Sequence, residues 1–136
     1  MNNKHIIRRF IAGFIDYFIV LFPLIQFYVF EFGEINNEGS YSVNGLKTLP
    51  IILFWLLYFC GVETIFGKTL GNFFVDLKPV DKNTGRNITF KQSFARHILD
   101  LIDMFLFGLV AIIIIKNSKE NQRLGDLLAK TKIIKT

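Results

Sequence analysis

The chain has 136 residues, 51% of them hydrophobic, with 16 Phe, a single Cys, a net charge of +5 and a mean hydropathy of +0.41. This length makes one domain and leaves no room for a second, and the lone cysteine excludes a disulfide framework or a CxxC metal or redox pair. The basic residues flank apolar segments instead of interleaving with exposed aromatics, which argues against nucleic-acid binding.

Residues 6 to 30, IIRRFIAGFIDYFIVLFPLIQFYVF, form an apolar stretch that can cross a hydrocarbon core about 30 Å thick. Basic residues precede it as in a signal peptide, but the run is too long and has no small-residue cleavage site, so it is expected to stay in the mature protein. Asp16 lies roughly 15 Å along the helix from Ile6, near the middle of the span. A carboxylate there costs about 2.5 to 3.5 kcal/mol on insertion scales, so it should face protein or water. Arg9, Ala12, Gly13 and Asp16 fall within roughly 100° of one another on the helix, and the two small residues invite close approach by another helix. Arg9 is roughly 10 Å from Asp16 along a straight helix, so a cation from another segment is expected beside the aspartate.

Residues 31–47 are polar, with Glu31, Glu34 and Glu38 against Lys47, and read as an irregular loop on the non-cytoplasmic side. The second span is expected over 48–66, with Pro50 in its first turn and Trp55 and Tyr58 packed inside. Glu63 lies one turn from the cytoplasmic end; it is expected to snorkel to water in preference to joining a polar cluster that faces Asp16. A cytoplasmic segment follows, in which Val75, Leu77 and Val80, then Asn83-Thr84-Gly85, then Ile88 predict a short β-hairpin over 74–90. Asn87-Ile88-Thr89 matches a glycosylation acceptor that would go unused on that side.

The third apolar region, 94–116, places Arg96, Asp100 and Asp103 on one helix face. RHILDLID (96–103) agrees with RFIAGFID (9–16) at four of eight positions, the kind of internal similarity found in transporters. A straight helix from Arg96 to Lys116 would rise about 30 Å and cross once, leaving the C-terminal tail outside. From Lys116 onward, however, there are six basic residues against two acidic ones, which favours the cytoplasmic side. A bend near Gly108, or a re-entrant second half, would reconcile the two. In the tail, 117–136, Asn121 is expected to cap a short helix carrying Leu124, Leu127 and Leu128. Asp126 is expected to bond nearby backbone or Arg123, and 131–135 to form a strand pairing with 74–80.

The predicted fold is therefore an all-α membrane protein. It is a small helical bundle with two clear transmembrane helices, a third apolar helical region that crosses once or turns back, and a short cytoplasmic β-hairpin.

Three motifs carry a resemblance that runs nearly end to end: Arg9-Phe-Ile-Ala-Gly-Phe-Ile-Asp16; Gly67-Lys-Thr-Leu-Gly71 with the following VDLKPVDKNTGRNIT; and Gln122-Arg-Leu-Gly-Asp126-Leu-Leu-Ala-Lys-Thr131. Together they resemble the RDD family of bacterial membrane proteins, named for one Arg and two Asp. The resemblance implies that Arg9, Asp16 and Asp126 occupy the three named positions and that Arg96 supports them. It also implies a multi-pass protein of the bacterial inner membrane, taking part in transport without specifying the ligand. Where relatives carry a basic pair after the second glycine of GKTLG, this chain has Asn72-Phe73.

The expected function is transport of a small cation, H⁺ or another small solute, with Asp16 as the protonatable or cation-binding group, Arg9 and Arg96 as its charge partners, and a cytoplasmic N-terminus. Asp100, Asp103, Asp126 and Glu63 complete the candidate site. So short a chain crosses only two to four times, so a homo-oligomer is expected to complete a pathway. The alternative is a non-transporting accessory or scaffold whose buried charges specify helix packing and a membrane partner protein. No catalytic, cofactor or metal site is expected. His5 and His97 have no Ser or Cys companion, no Gly-rich phosphate loop is present, and an acid pair of Asp16 with Asp103 is the one enzymatic alternative.

Overall fold

The computed structural model describes residues 3–105, 113, 114, 117 and 122–136, with side chains for 6–100, 113, 114, 117 and 122–136. Among the described residues two helices are long and apolar enough to cross a membrane, Ile6–Phe32 and Gly45–Phe66, each with a mean hydropathy of 2.0. Only 17% of either apolar window is buried within the molecule. Most of their apolar surface therefore faces outward, unlike that of a helix in the core of a water-soluble fold.

The first long helix consists of α1 (Asn3–Phe14), a π-helical segment Ile15–Leu21, and α2 (Phe22–Phe32). Pro23 sits in the first turn of α2, and because its ring has no N–H to give the preceding turn, the widened segment just before it absorbs the misfit. The second runs from a 3₁₀ turn (Gly45–Thr48) through α3 (Leu49–Leu56) and another π-helical segment, Leu57–Val62, to α4 (Glu63–Phe66). Gly67, at φ +80°, ends it in the left-handed conformation. The two long helices are antiparallel. The Tyr28 hydroxyl donates to the Lys47 carbonyl at one level, and Tyr58 reaches Asp16 at another.

The connection between them is more ordered than the irregular loop expected. β1 (Glu34–Ile35) pairs antiparallel with β2 (Tyr41–Ser42), and the Asn36 side chain accepts the Glu38 and Ser40 N–H groups at 3.0 Å each. An asparagine that bonds backbone ahead of it builds such a turn locally.

At the opposite end lie α5 (Leu70–Phe74), β3 (Leu77–Asp81), α6 (Phe90–Phe105), α7 (Leu124–Ala129) and β4 (Thr131–Lys135). β3 pairs antiparallel with β4 from Leu77↔Lys135 to Asp81↔Thr131, as the alternation in the tail predicts. The hairpin expected over 74–90 is only partly formed. Its turn is present, with Asp81 accepting the Asn83 and Thr84 N–H groups at 2.9 and 2.8 Å, but the return limb is a single bridge, Val80↔Asn87. β4 has taken the pairing edge. Four donors from three residues onto one carboxylate, from Thr84 first, then Gln92 and Asn83, hold Asp81 down at about 2.

Ala12, Val75 and Leu77 form a small apolar cluster with Ile133, which seats the sheet against α1, and Arg8 Nη1 donates to the Val75 carbonyl at 2.7 Å. Elsewhere the usual burial is inverted. Among the described residues as many polar or ionisable side chains are buried as apolar ones, ten of each with Pro79, while Phe, Ile and Leu dominate the surface. The third helical region begins at Phe90, earlier than expected, and shows Phe94 and Ile98 on its outer face with Arg96, His97 and Asp100 buried. The bend expected near Gly108 and the cap expected at Asn121 lie outside the described residues.

Candidate functional site

Asp126 is the third residue of α7, and its Oδ2 accepts the Arg123 N–H at 3.0 Å, so it closes the helix N-terminus from inside. The same carboxylate takes Arg9 Nη2 on Oδ2 and Arg96 Nε, at 2.8 Å, on Oδ1. Burial by itself would raise the affinity of Asp126 for a proton. The charges of Arg9, Arg96 and Arg123 outweigh it and hold the group well below the usual carboxylate range. Gly125 is what lets α7 come so close to α6, since a Cβ there would stand 2.6 Å from the Arg96 carbonyl oxygen.

From Arg96 the network continues. Its Nη1 donates to Glu63 Oε1 at 2.6 Å, and Glu63 Oε2 receives Ser93 Oγ and lies 2.9 Å from His97 Nε2. His97 Nδ1 is 2.7 Å from Asp100 Oδ2, and Arg123 Nη1 is 3.0 Å from Asp100 Oδ1. Arg123 Nε returns to Asp126 at 3.9 Å. The result is a closed ring in which Asp126, Arg96, Glu63, His97, Asp100 and Arg123 alternate. Both imidazole nitrogens face carboxylate oxygens, Asp100 on one side and Glu63 on the other. Glu63 is fully buried, and the snorkelling expected of it is overturned: Arg96 and His97 draw the carboxylate inward.

Asp16 stands apart from this ring. Its Oδ1 accepts the Tyr58 hydroxyl at 2.7 Å and the Gly71 N–H at 2.8 Å, and its Oδ2 accepts the Thr69 hydroxyl at 2.7 Å. The cationic partner expected for it, from Arg9 or Arg96, is therefore replaced by three uncharged donors. Both arginines are spent on the carboxylates of the ring. The GKTLG motif provides the cradle: Thr69 caps α5, and Gly71 lies so near α1 that an added Cβ would collide with the Ala12 carbonyl and sit 2.7 Å from Asp16 Oδ2.

Between ring and cradle is a cavity of about 50 Å³, lined among others by Arg9, Asp16, Tyr17, Arg96, Asp100 and Arg123. At about 10–15 Å³ per probe-sized water it has room for a few. The Tyr17 hydroxyl is buried there and has no hydrogen-bond partner among the described residues. Arg9, Ala12, Gly13 and Asp16 all line it, so the stripe read on the first helix is the wall of the site. Among the described residues no group of three His, Cys, Asp or Glu is arranged to hold a metal ion.

Arg9, Glu63, Arg96, Asp100 and Asp126 thus meet in one ionic network, with Asp16 across the cavity from it; the side chain of Asp103 lies outside the described residues. Sequence reasoning missed His97, Ser93, Tyr58 and Thr69 and foresaw Arg123 only as a partner of Asp126, a contact that is present. Two local signals were present: His97 and Asp100 are one helical turn apart, and Arg123 and Asp126 have capping-box spacing. The model of the RDD family matches residues 4–130. No curated protein and no solved structure matches the chain.

Proposed function

The chain belongs to the RDD family, and from that premise we propose that it is a multi-pass membrane protein that takes part in moving a small cation, H⁺ or another small solute through its buried charged cavity. The observation that carries this reading is the bonding of Asp16. It faces a cavity large enough for water, yet its partners Tyr58, Thr69 and Gly71 carry no charge. Two of the three are hydroxyls, which can turn from donor to acceptor, so the carboxyl can be accommodated with or without its proton. The carboxylates of the ring, by contrast, each face an arginine.

Orientation follows the distribution of charge. The N-terminus, β3, β4 and their lysines share one end of the molecule, whereas the connection between the long helices carries three glutamates against Lys47. The positive-inside bias puts the first end in the cytoplasm of a bacterial cell. Copies of the chain would together enclose a continuous path, since one copy offers so few crossings.

Purified protein in liposomes tests the reading. Na⁺ or Li⁺ flux, or a counter-flow of H⁺, is expected from the wild type and is abolished in Asp16→Asn with folding retained. Absence of flux for every ion and solute tried would overturn it. One observation favours a second reading, a non-transporting scaffold: the ring is closed, with each carboxylate facing a cation, as befits a structural lock. On that reading Asp16→Asn lowers stability while ion movement is unaltered, and a fixed partner protein copurifies from native membranes.

A further inference from the structure

The second long helix does not finish its apolar surface at Phe66. Ile65, Phe66, Leu70, Phe73 and Phe74 are exposed, from 46% at Leu70 to 73% at Ile65, so the outward apolar band continues through the chain reversal at Gly67 onto α5. Basic groups gather at the same place. Lys68 Nζ lies 5.2 Å from the centre of the Phe73 ring and donates to Thr136 Oγ1 at 3.3 Å. Lys78 crosses Gly67 so closely that a Cβ there would be 3.3 Å from its Nζ. The nearby exposed acid, Asp76, has Arg8 3.8 Å away.

An apolar ledge edged by ammonium groups matches the boundary between acyl chains and phosphates, where lysine stems lie along hydrocarbon and their charges reach the headgroups. Lysines at the C-terminal end of a helix also complement its dipole. We infer that residues 65–78 form an interfacial ledge, with Phe66, Phe73 and Phe74 against acyl chains and Lys68 and Lys78 binding the phosphate of an anionic phospholipid. Two features select lipid as the occupant: the ledge is continuous with the outward face of the long helix, and its charge is complementary to phosphate. The inference rests on the membrane reading above but is independent of transport. It gives the bilayer a direct hold on the Asp16 cradle, because α5 carries both the ledge and Gly71.

The test is fluorescence quenching by brominated phospholipids in reconstituted full-length protein. Wild-type Trp55 serves as the control for the long helix, and Phe74→Trp in a Trp55→Phe background reports the ledge. Brominated chains are expected to quench both, and brominated phosphatidylglycerol to quench the ledge reporter in preference to phosphatidylcholine, with selectivity of about fivefold per lysine. Adding Lys68→Gln and Lys78→Gln is expected to remove the selectivity and leave chain quenching intact. A ledge reporter that stays unquenched while Trp55 is quenched would overturn the ledge. A lipid preference that is absent, or that survives loss of both lysines, would overturn the phosphate site. If Trp55 itself is not quenched, the membrane reading falls and takes this inference with it.

Discussion

Asp126 draws Arg9 and Arg96 onto its two oxygens and closes its own helix through the Arg123 N–H. Removing its charge leaves buried guanidinium groups without their counter-ion, so Asp126→Asn is expected to cost about 3–5 kcal/mol, measured as unfolding in mild detergent. The pH dependence has a definite sign. The folded carboxyl holds its proton more weakly than the ordinary value of 3.8 implies, so its contribution is complete above that value and is lost as the pH falls below it. The stability gap between wild type and variant should therefore narrow in acid; a gap independent of pH would contradict the ion-pair account. Residues of this kind were legible in the sequence because a charge inside an apolar run demands a reason, which singled out Arg9, Asp16 and Arg96, while Asp126 stood out only through the motif Gln122–Thr131 and its resemblance to the RDD family. His97 was not, since a lone histidine on an amphipathic helix discloses nothing of the Glu63 that meets it from 34 positions away. The bonding of Asp16 was misjudged on physical grounds: three well-aimed neutral donors can replace a cation, and two of them come from a stretch that read as polar connection.

Between elements, the closest approach that positions Asp16 is α1 against α5, and glycine makes it possible. Gly71→Ala would force the Ala12 carbonyl away and stretch the Gly71 N–H bond to Asp16, a cost of about 1–3 kcal/mol for overpacking. Gly13, on the same wall of the cavity, has nothing within 4 Å of an added Cβ. Gly13→Ala is therefore expected to be neutral, or stabilising by up to about 1 kcal/mol through helix propensity. Denaturant unfolding of the two variants in parallel checks the contrast, and equal losses would show that the α1–α5 contact is not the limiting one. Most elements could be read from pattern: the two long apolar helices, the terminal strand and its pairing with β3. The incomplete hairpin could not, because the apolar residues of β3 suit either neighbour and only the packing of Ile133 beside Val75, Leu77 and Ala12 decides between them. The π-helical segments also escaped notice, although Pro23 marked the place of the first.

Over the whole molecule, the start of α1 and the end of β4 lie on the side of the β3–β4 sheet and the β1–β2 turn on the other. On the membrane reading, Thr136→Cys should react with an impermeant maleimide only from the cytoplasmic face and Ser40→Cys only from the opposite face. The native Cys60 is buried and should stay silent. Labelling of both from one face would refute the topology. The span of the ionic network also bears on how the protein is made. Arg9 meets an acid 117 positions later, so at about 5–20 residues per second the ribosome needs on the order of ten seconds to deliver the counter-ion after the arginine has emerged. During that interval Arg9 lacks the Asp126 carboxylate, whereas Asp16 waits only until Thr69 and Gly71 have been made. A product cut short between residues 72 and 125 would therefore keep the donors around Asp16 and lack the carboxylate that joins Arg9 to Arg96.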